Sequence, residues 1–143
     1  GKKEIIEMLR QRSRPYLFSN SIPPLVAAAG LRMIEMMTGN NELQERLHRN
    51  SEYFVSRMTS LGFDIKPTKS AICAVMLYDS RLSQDFAAKL LDEGIYVIGF
   101  YYPVVPKGKA RIRVQLSAAH KMEHIEKAIT AFKKVGMELG VIK

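Results

Sequence analysis

The stretch Lys109-Ala-Arg-Ile-Arg-Val-Gln-Leu116 alternates without a break, and that alternation most limits what the chain can become. Successive side chains of a strand point to opposite faces, so a period of two marks a strand with one buried face. Ala110, Ile112, Val114 and Leu116 are predicted to face a core, and Lys109, Arg111, Arg113 and Gln115 the other side. A strand of this kind needs partners and an apolar layer beneath it.

The rest of the chain supplies both. Lys2 to Arg12 carries Ile5, Ile6 and Leu9 at helical spacing, and Arg14-Pro15 stops that helix because a pre-proline residue avoids the α region. Tyr16 to Pro24 reads as an irregular loop, and Pro24 opens the next helix. Leu25 to Met37 is so evenly apolar that burial on most sides is predicted. Thr38-Gly39-Asn40-Asn41 gives a stop and a cap, dividing the chain into 1–38 and 39–143. The next helix runs to about Ser60, with Leu43, Leu47, Phe54 and Met58 inward; a turn spans Lys66 to Lys69.

From Ala71 on, the predicted order is β-α-β-β-α. A strand over Ala71–Leu77 leads to a helix capped by Asp79 or Ser80, with Leu82, Phe86 and Leu90 inward and Gly94 at its end. A strand over Ile95–Phe100, the alternating strand, and a helix over Met122–Leu139 with Ile125, Ile129 and Phe132 inward complete it. This is an α+β chain with a split βαβ arrangement: a small, mostly antiparallel sheet with helices on one face.

Chemistry is harder to read. Two arginines on one strand face stand about 7 Å apart, and a guanidinium fork suits a carboxylate or phosphate. The same pattern fits a solvated strand face, and by itself favours it. Phe18-Ser-Asn-Ser21 could hold an anion near a helix start, or simply cap the helix at Pro24. Cys73 lies in the apolar run 71–77, as a buried thiol would, which suits a reducing, cytoplasmic setting. His48, His120 and His124 form no recognisable zinc ligand set, so no metal is predicted. The net charge of +8 is spread along the chain among 14 acids, and Phe100, Tyr101 and Tyr102 do not interleave with a basic stripe; no nucleic-acid partner is predicted. No apolar run reaches the ~20 residues of a membrane span. On residues alone, a free-standing small-anion-binding regulatory module is as far as the pattern goes.

Two longer motifs carry a resemblance. The run from Ile95-Tyr-Val-Ile-Gly-Phe-Tyr-Tyr-Pro-Val-Val-Pro106 through the arginine strand to Ser117-Ala-Ala-His120 resembles the C-terminal signature of the α-oxoamine synthases, a family of pyridoxal 5′-phosphate (PLP) enzymes. Arg12-Ser-Arg-Pro-Tyr-Leu-Phe-Ser-Asn-Ser-Ile-Pro-Pro24 resembles the same family's loop beyond its PLP-lysine region. The similarity runs along essentially the whole chain. It implies a C-terminal small domain of an aspartate-aminotransferase-like (fold type I) homodimer, preceded in 1–38 by the tail of the large PLP-binding domain. By the Tyr-Pro-Val-Val-Pro loop, it implies the branch that condenses glycine with acetyl-CoA to 2-amino-3-ketobutyrate in threonine catabolism.

The family's site residues carry over position by position. Arg113 matches the arginine that holds the amino-acid carboxylate, and Arg111 a supporting position. Ser19 and Asn20 match positions that reach across the dimer to the cofactor phosphate. The chain departs from the pattern in having no Gly-Lys-Ala-like segment followed by a glycine pair; it opens Gly-Lys-Lys-Glu without methionine. The resemblance therefore implies that the PLP lysine, the ring-stacking histidine and the pyridinium aspartate lie upstream of Gly1. On that reading this portion alone binds no cofactor and is inactive.

Overall fold

A phenylalanine cluster organises the larger part of the molecule. Phe132 packs against Phe54, Phe63 and Phe86 with ring centroids 6.1, 6.2 and 5.7 Å away. The first two contacts are edge-on, the arrangement that the ring quadrupoles favour. The computed structural model describes residues 1–19, 21–66 and 70–143, which divide into two compact units, Gly1–Asn40 and Asn41–Lys143.

The second unit contains α4 (Glu42–Ser60), β1 (Ile65–Lys66), β2 (Ile72–Tyr78), α5 (Ser80–Asp92), β3 (Ile98–Phe100), β4 (Ala110–Gln115) and α6 (Met122–Glu138); these labels continue the chain-order numbering of the first unit, given below. The strands form one antiparallel sheet in the order β1-β2-β4-β3. Because β4 lies between β2 and β3 and runs against both, β2 and β3 are parallel and joined through α5. The split βαβ reading is thus the observed topology. Cys73, Val75, Leu77, Ile112, Val114 and Leu116 on one sheet face share a single core with Phe54, Met58, Phe86, Leu90 and the inner face of α6. The Asp79 carboxylate accepts the Leu82 N–H at 2.7 Å and so caps α5, as its spacing predicted. Burial pushes the pKa of the Cys73 thiol up.

Two glycines mark places where the core closes too tightly for a side chain. A Cβ on Gly99 would come within 2.6 Å of the Ser83 carbonyl oxygen, so β3 lies directly on α5. A Cβ on Gly136 would come within 2.6 Å of Phe63 Cζ. Glycine inside a helix costs about 1 kcal/mol against alanine. At Gly136 that cost is offset by close packing.

Several local expectations are corrected. The sheet has an edge strand, β1, where only the approach to a turn was predicted; residues 67–69 of that turn lie outside the described residues. The strand predicted from Ile95 begins at Ile98, because the Ile95 N–H still bonds to the Leu90 carbonyl at the end of α5. Leu43 is 56% exposed rather than inward, since it lies in the first turn of α4, before that helix reaches the core.

The first unit contains α1 (Lys3–Arg12), α2 (Arg14–Phe18) and α3 (Pro24–Gly39). The predicted loop after Pro15 in fact opens with the short helix α2. Proline stops a helix that precedes it but suits the first turn of one that follows, where no N–H bond is needed. The larger correction concerns α3, predicted to be buried: none of its residues is, and Leu25 is 81% exposed. Composition set its apolar character, but its own unit holds no layer to cover it. Among the described residues, no helix is long and apolar enough to cross a membrane.

Candidate functional site

β4 presents its two arginines as the alternation predicted. Ala110, Ile112 and Val114 are buried, Arg111 is half-buried, and Arg113 and Gln115 are exposed on the face away from the helices. The register completes that open face. Ala74 pairs with Arg113 on one side and Ile98 on the other, while Met76 and Phe100 flank Arg111. Phe100 is therefore a diagonal neighbour of Arg113, within reach for a long side chain. The Arg113 guanidinium lies over the Phe100 ring, 5.7 Å from its centroid. Among the described residues no carboxylate pairs with Arg113 or Arg111.

Arg113 stands where two hollows meet. The larger, about 780 Å³, runs past the end of the sheet between the 94–98 segment and the start of α6. Its apolar floor includes Phe54, Val97 and Ile125; its rim carries Arg113, His120, His124 and Lys127. The smaller, about 340 Å³, lies on the open face, where Val105 from the loop after β3 joins Ile72, Ala74, Arg111 and Arg113. The loop after β4 is fixed from below: the buried Asn50 amide donates to the carbonyls of Ser117 (3.2 Å) and His120 (2.9 Å). The His120 and His124 rings are 6.4 Å apart. Among the described residues, no group of three or more His, Cys, Asp or Glu side chains is placed to hold a metal.

Near the outer end of the sheet, the Tyr78 hydroxyl donates to the Asp64 carboxylate. That bond, with the Lys66 and Lys109 charges behind it, holds the Asp64 carboxyl below its ordinary value of 3.8. Lys109, predicted on the same strand face as the arginines, thus adds to a positive field.

The candidate residues of the Phe18–Ser21 segment are in the first unit. Ser19 follows α2, its N–H bonds to the Pro15 carbonyl at 3.0 Å, and its side chain is exposed. Asn20 lies outside the described residues. Phe100, His120 and Lys127 were not singled out by sequence reasoning as neighbours of Arg113. Alternation within Ile98-Gly-Phe100 could have placed Phe100 on a face with Ile98, but only the pairing of β3 with β4 brings it to the arginine.

The comparisons with known proteins agree in direction. The sequence profile described as aminotransferase class I and II matches residues 1–132. Over 142 residues the chain is 52% identical to the 2-amino-3-ketobutyrate coenzyme A ligase of Escherichia coli (strain K12), a match covering 99% of this chain and 36% of that enzyme. It is 46% identical to the 8-amino-7-oxononanoate synthase of Thermosipho melanesiensis, again over 99% of this chain and 36% of the relative. A solved structure of SPT with PLP superposes with a TM-score of 0.88 at 32% identity, covering 96% of this chain and 35% of that one. The chain thus spans about a third of the length of the relatives it matches. Its antiparallel sheet with helices on one face is the small-domain architecture of fold type I PLP enzymes. With a profile match running from its first residue into α6, the chain belongs to the class I and II aminotransferase family.

Proposed function

We propose that this chain is the C-terminal portion of a PLP-dependent acyltransferase that condenses glycine with acetyl-CoA to give 2-amino-3-ketobutyrate, and that Arg113 grips the glycine carboxylate. The observation that carries the proposal is a guanidinium without an acid partner among the described residues, held over a ring at the lip of a groove. Identity at 52% to a 2-amino-3-ketobutyrate coenzyme A ligase supports the choice of substrates.

The donor set indicates which part of the chemistry fits these residues. Arg113, His120, His124 and Lys127 suit an anion, and among the described residues no carboxylate lines the groove to face a pyridine nitrogen. The groove therefore fits a substrate carboxylate rather than the cofactor ring. For the cofactor phosphate we propose Ser19, whose side chain is exposed, together with Asn20, reaching a second subunit of a homodimer. When bound, PLP supplies the electron sink that makes the glycine Cα–H acidic.

Arg113 then has two tasks. Its fork can donate two parallel N–H bonds to a carboxylate, charge-assisted contacts worth about 1.5–3 kcal/mol each. The grip also fixes the direction of the glycine Cα–H, and orientation of this kind lowers the barrier to proton removal. Arg111, half-buried beside it, supports the positive field without needing direct contact. The cytoplasm is the proposed setting.

The test is Arg113→Lys in the full-length enzyme. A point charge cannot reproduce the planar fork, so kcat/KM for glycine should fall about 10- to 100-fold, the loss of one charge-assisted bond. Unchanged glycine kinetics would overturn the assignment.

A further inference from the structure

We infer that Phe100 is a positioning residue for Arg113: its ring holds the guanidinium in the orientation that receives a carboxylate. The inference rests on the substrate role proposed for Arg113 and adds a residue which that reading does not include.

The geometry begins with the strand register. Directly opposite Arg113 are Ala74 on β2 and Ile98 on β3, and neither offers a hydrogen-bond acceptor or a π face. A long cationic side chain flanked by a methyl and a branched alkyl group has many rotamers of similar energy, and an arginine left free carries about 2 kcal/mol of rotamer entropy. Phe100 breaks that degeneracy. It lies on the same face, one diagonal step along β3, and its ring receives the guanidinium at 5.7 Å. Arg113 therefore leans along the sheet toward Phe100.

Phe100 is itself placed by the backbone. Its neighbour Gly99 lies so close to the Ser83 carbonyl that a side chain there would meet it at 2.6 Å, so β3 is seated directly against α5. Phe100 also borders both hollows, and Arg113 lines each of them. The ring thus lies beside the guanidinium at the border of both hollows, and on this inference it steers the N–H edge to the groove. That edge is the one a carboxylate uses for two parallel bonds. A chain of contacts from α5 through Gly99 and Phe100 to Arg113 sets the direction of the grip.

Two measurements test this, and they fail separately from the parent proposal. In this 143-residue chain, the order of the Arg113 Nε–H vector is read by ¹⁵N relaxation in the original protein, Phe100→Leu and Phe100→Tyr. Leucine should release the side chain and tyrosine should retain its order, with the thermal midpoint reporting that each variant is folded. Should leucine prevent folding, Phe100→Met, which keeps the volume and loses the ring, takes its place. Equal Arg113 order in the original and the ring-less variant overturns the inference.

In the full-length enzyme, the ring-less variant should raise KM for glycine about two- to fivefold, the scale of an exposed cation–π contact. The KM for acetyl-CoA should be unchanged, and Phe100→Tyr should restore the glycine value. A structural role alone would lower kcat for both substrates and leave their KM values in step, which also overturns it. If Arg113→Lys damages glycine use while the ring-less variant does not, the carboxylate grip stands and the positioning role falls.

Discussion

The two units have similar apolar appetites and opposite outcomes. Asn41–Lys143 buries four phenylalanines, the inner face of its sheet and the inner faces of three helices in one cluster. Gly1–Asn40 contains a more apolar helix than any of these, α3, yet buries none of its residues. The difference lies in partners rather than hydrophobicity. A sheet face and three helix stripes close on each other, whereas helices without a second layer leave their apolar surface open. An apolar period in a sequence therefore states which face seeks burial and is silent on what provides it.

That contrast can be broken by mutation. The largest effect is expected at Phe132, the hub of the ring cluster: Phe132→Ala should lower the unfolding free energy by about 3–5 kcal/mol, measured by denaturant titration. A loss below 1 kcal/mol would mean that the cluster does not hold the larger unit together. In the first unit, Leu31 is 65% exposed, and Leu31→Gln should change the same free energy by no more than about 0.5 kcal/mol. A core-sized loss there would show that α3 is buried in solution and would remove the contrast.

The smallest effect sharpens the limit within the larger unit, between core and rim. The Asp64 carboxyl is held below 3.8 chiefly by the Tyr78 hydroxyl, with Lys66 and Lys109 adding to it. A carboxyl whose folded value is lowered contributes stability that is present above its unfolded value. That stability is lost as the pH falls through the folded value. The contribution therefore disappears below about pH 3.8. Because the group is exposed, solvent screening keeps the contribution small. In Tyr78→Phe, the Asp64 titration followed by NMR should move up, because the largest influence that lowers it is gone. An unmoved midpoint would assign the shift to the lysines alone.

How much was legible follows from the range of each interaction. The β4 alternation, the Asp79 cap, the inward faces of α5 and α6 and the order β-α-β-β-α are local patterns, readable because neighbours in sequence fix them. Arg113 was found by the same route, and its substrate role was suggested by resemblance. Edge strand β1 was missed because two residues carry no period, and its pairing with β2 is what defines it. The helix after Pro15 was missed because one proline gives two opposite signals, depending on which side the helix lies.

Sequence by itself determined which side chains share a face and that two arginines point away from the core, since those follow from backbone periods of 2 and 3.6 residues. Tertiary structure alone decided that β4 threads between β2 and β3, that Gly99 rests on Ser83, and that Phe100 meets Arg113. These depend on which strands pair and in what register. Register is fixed by burying one whole face at once, so no short segment contains it.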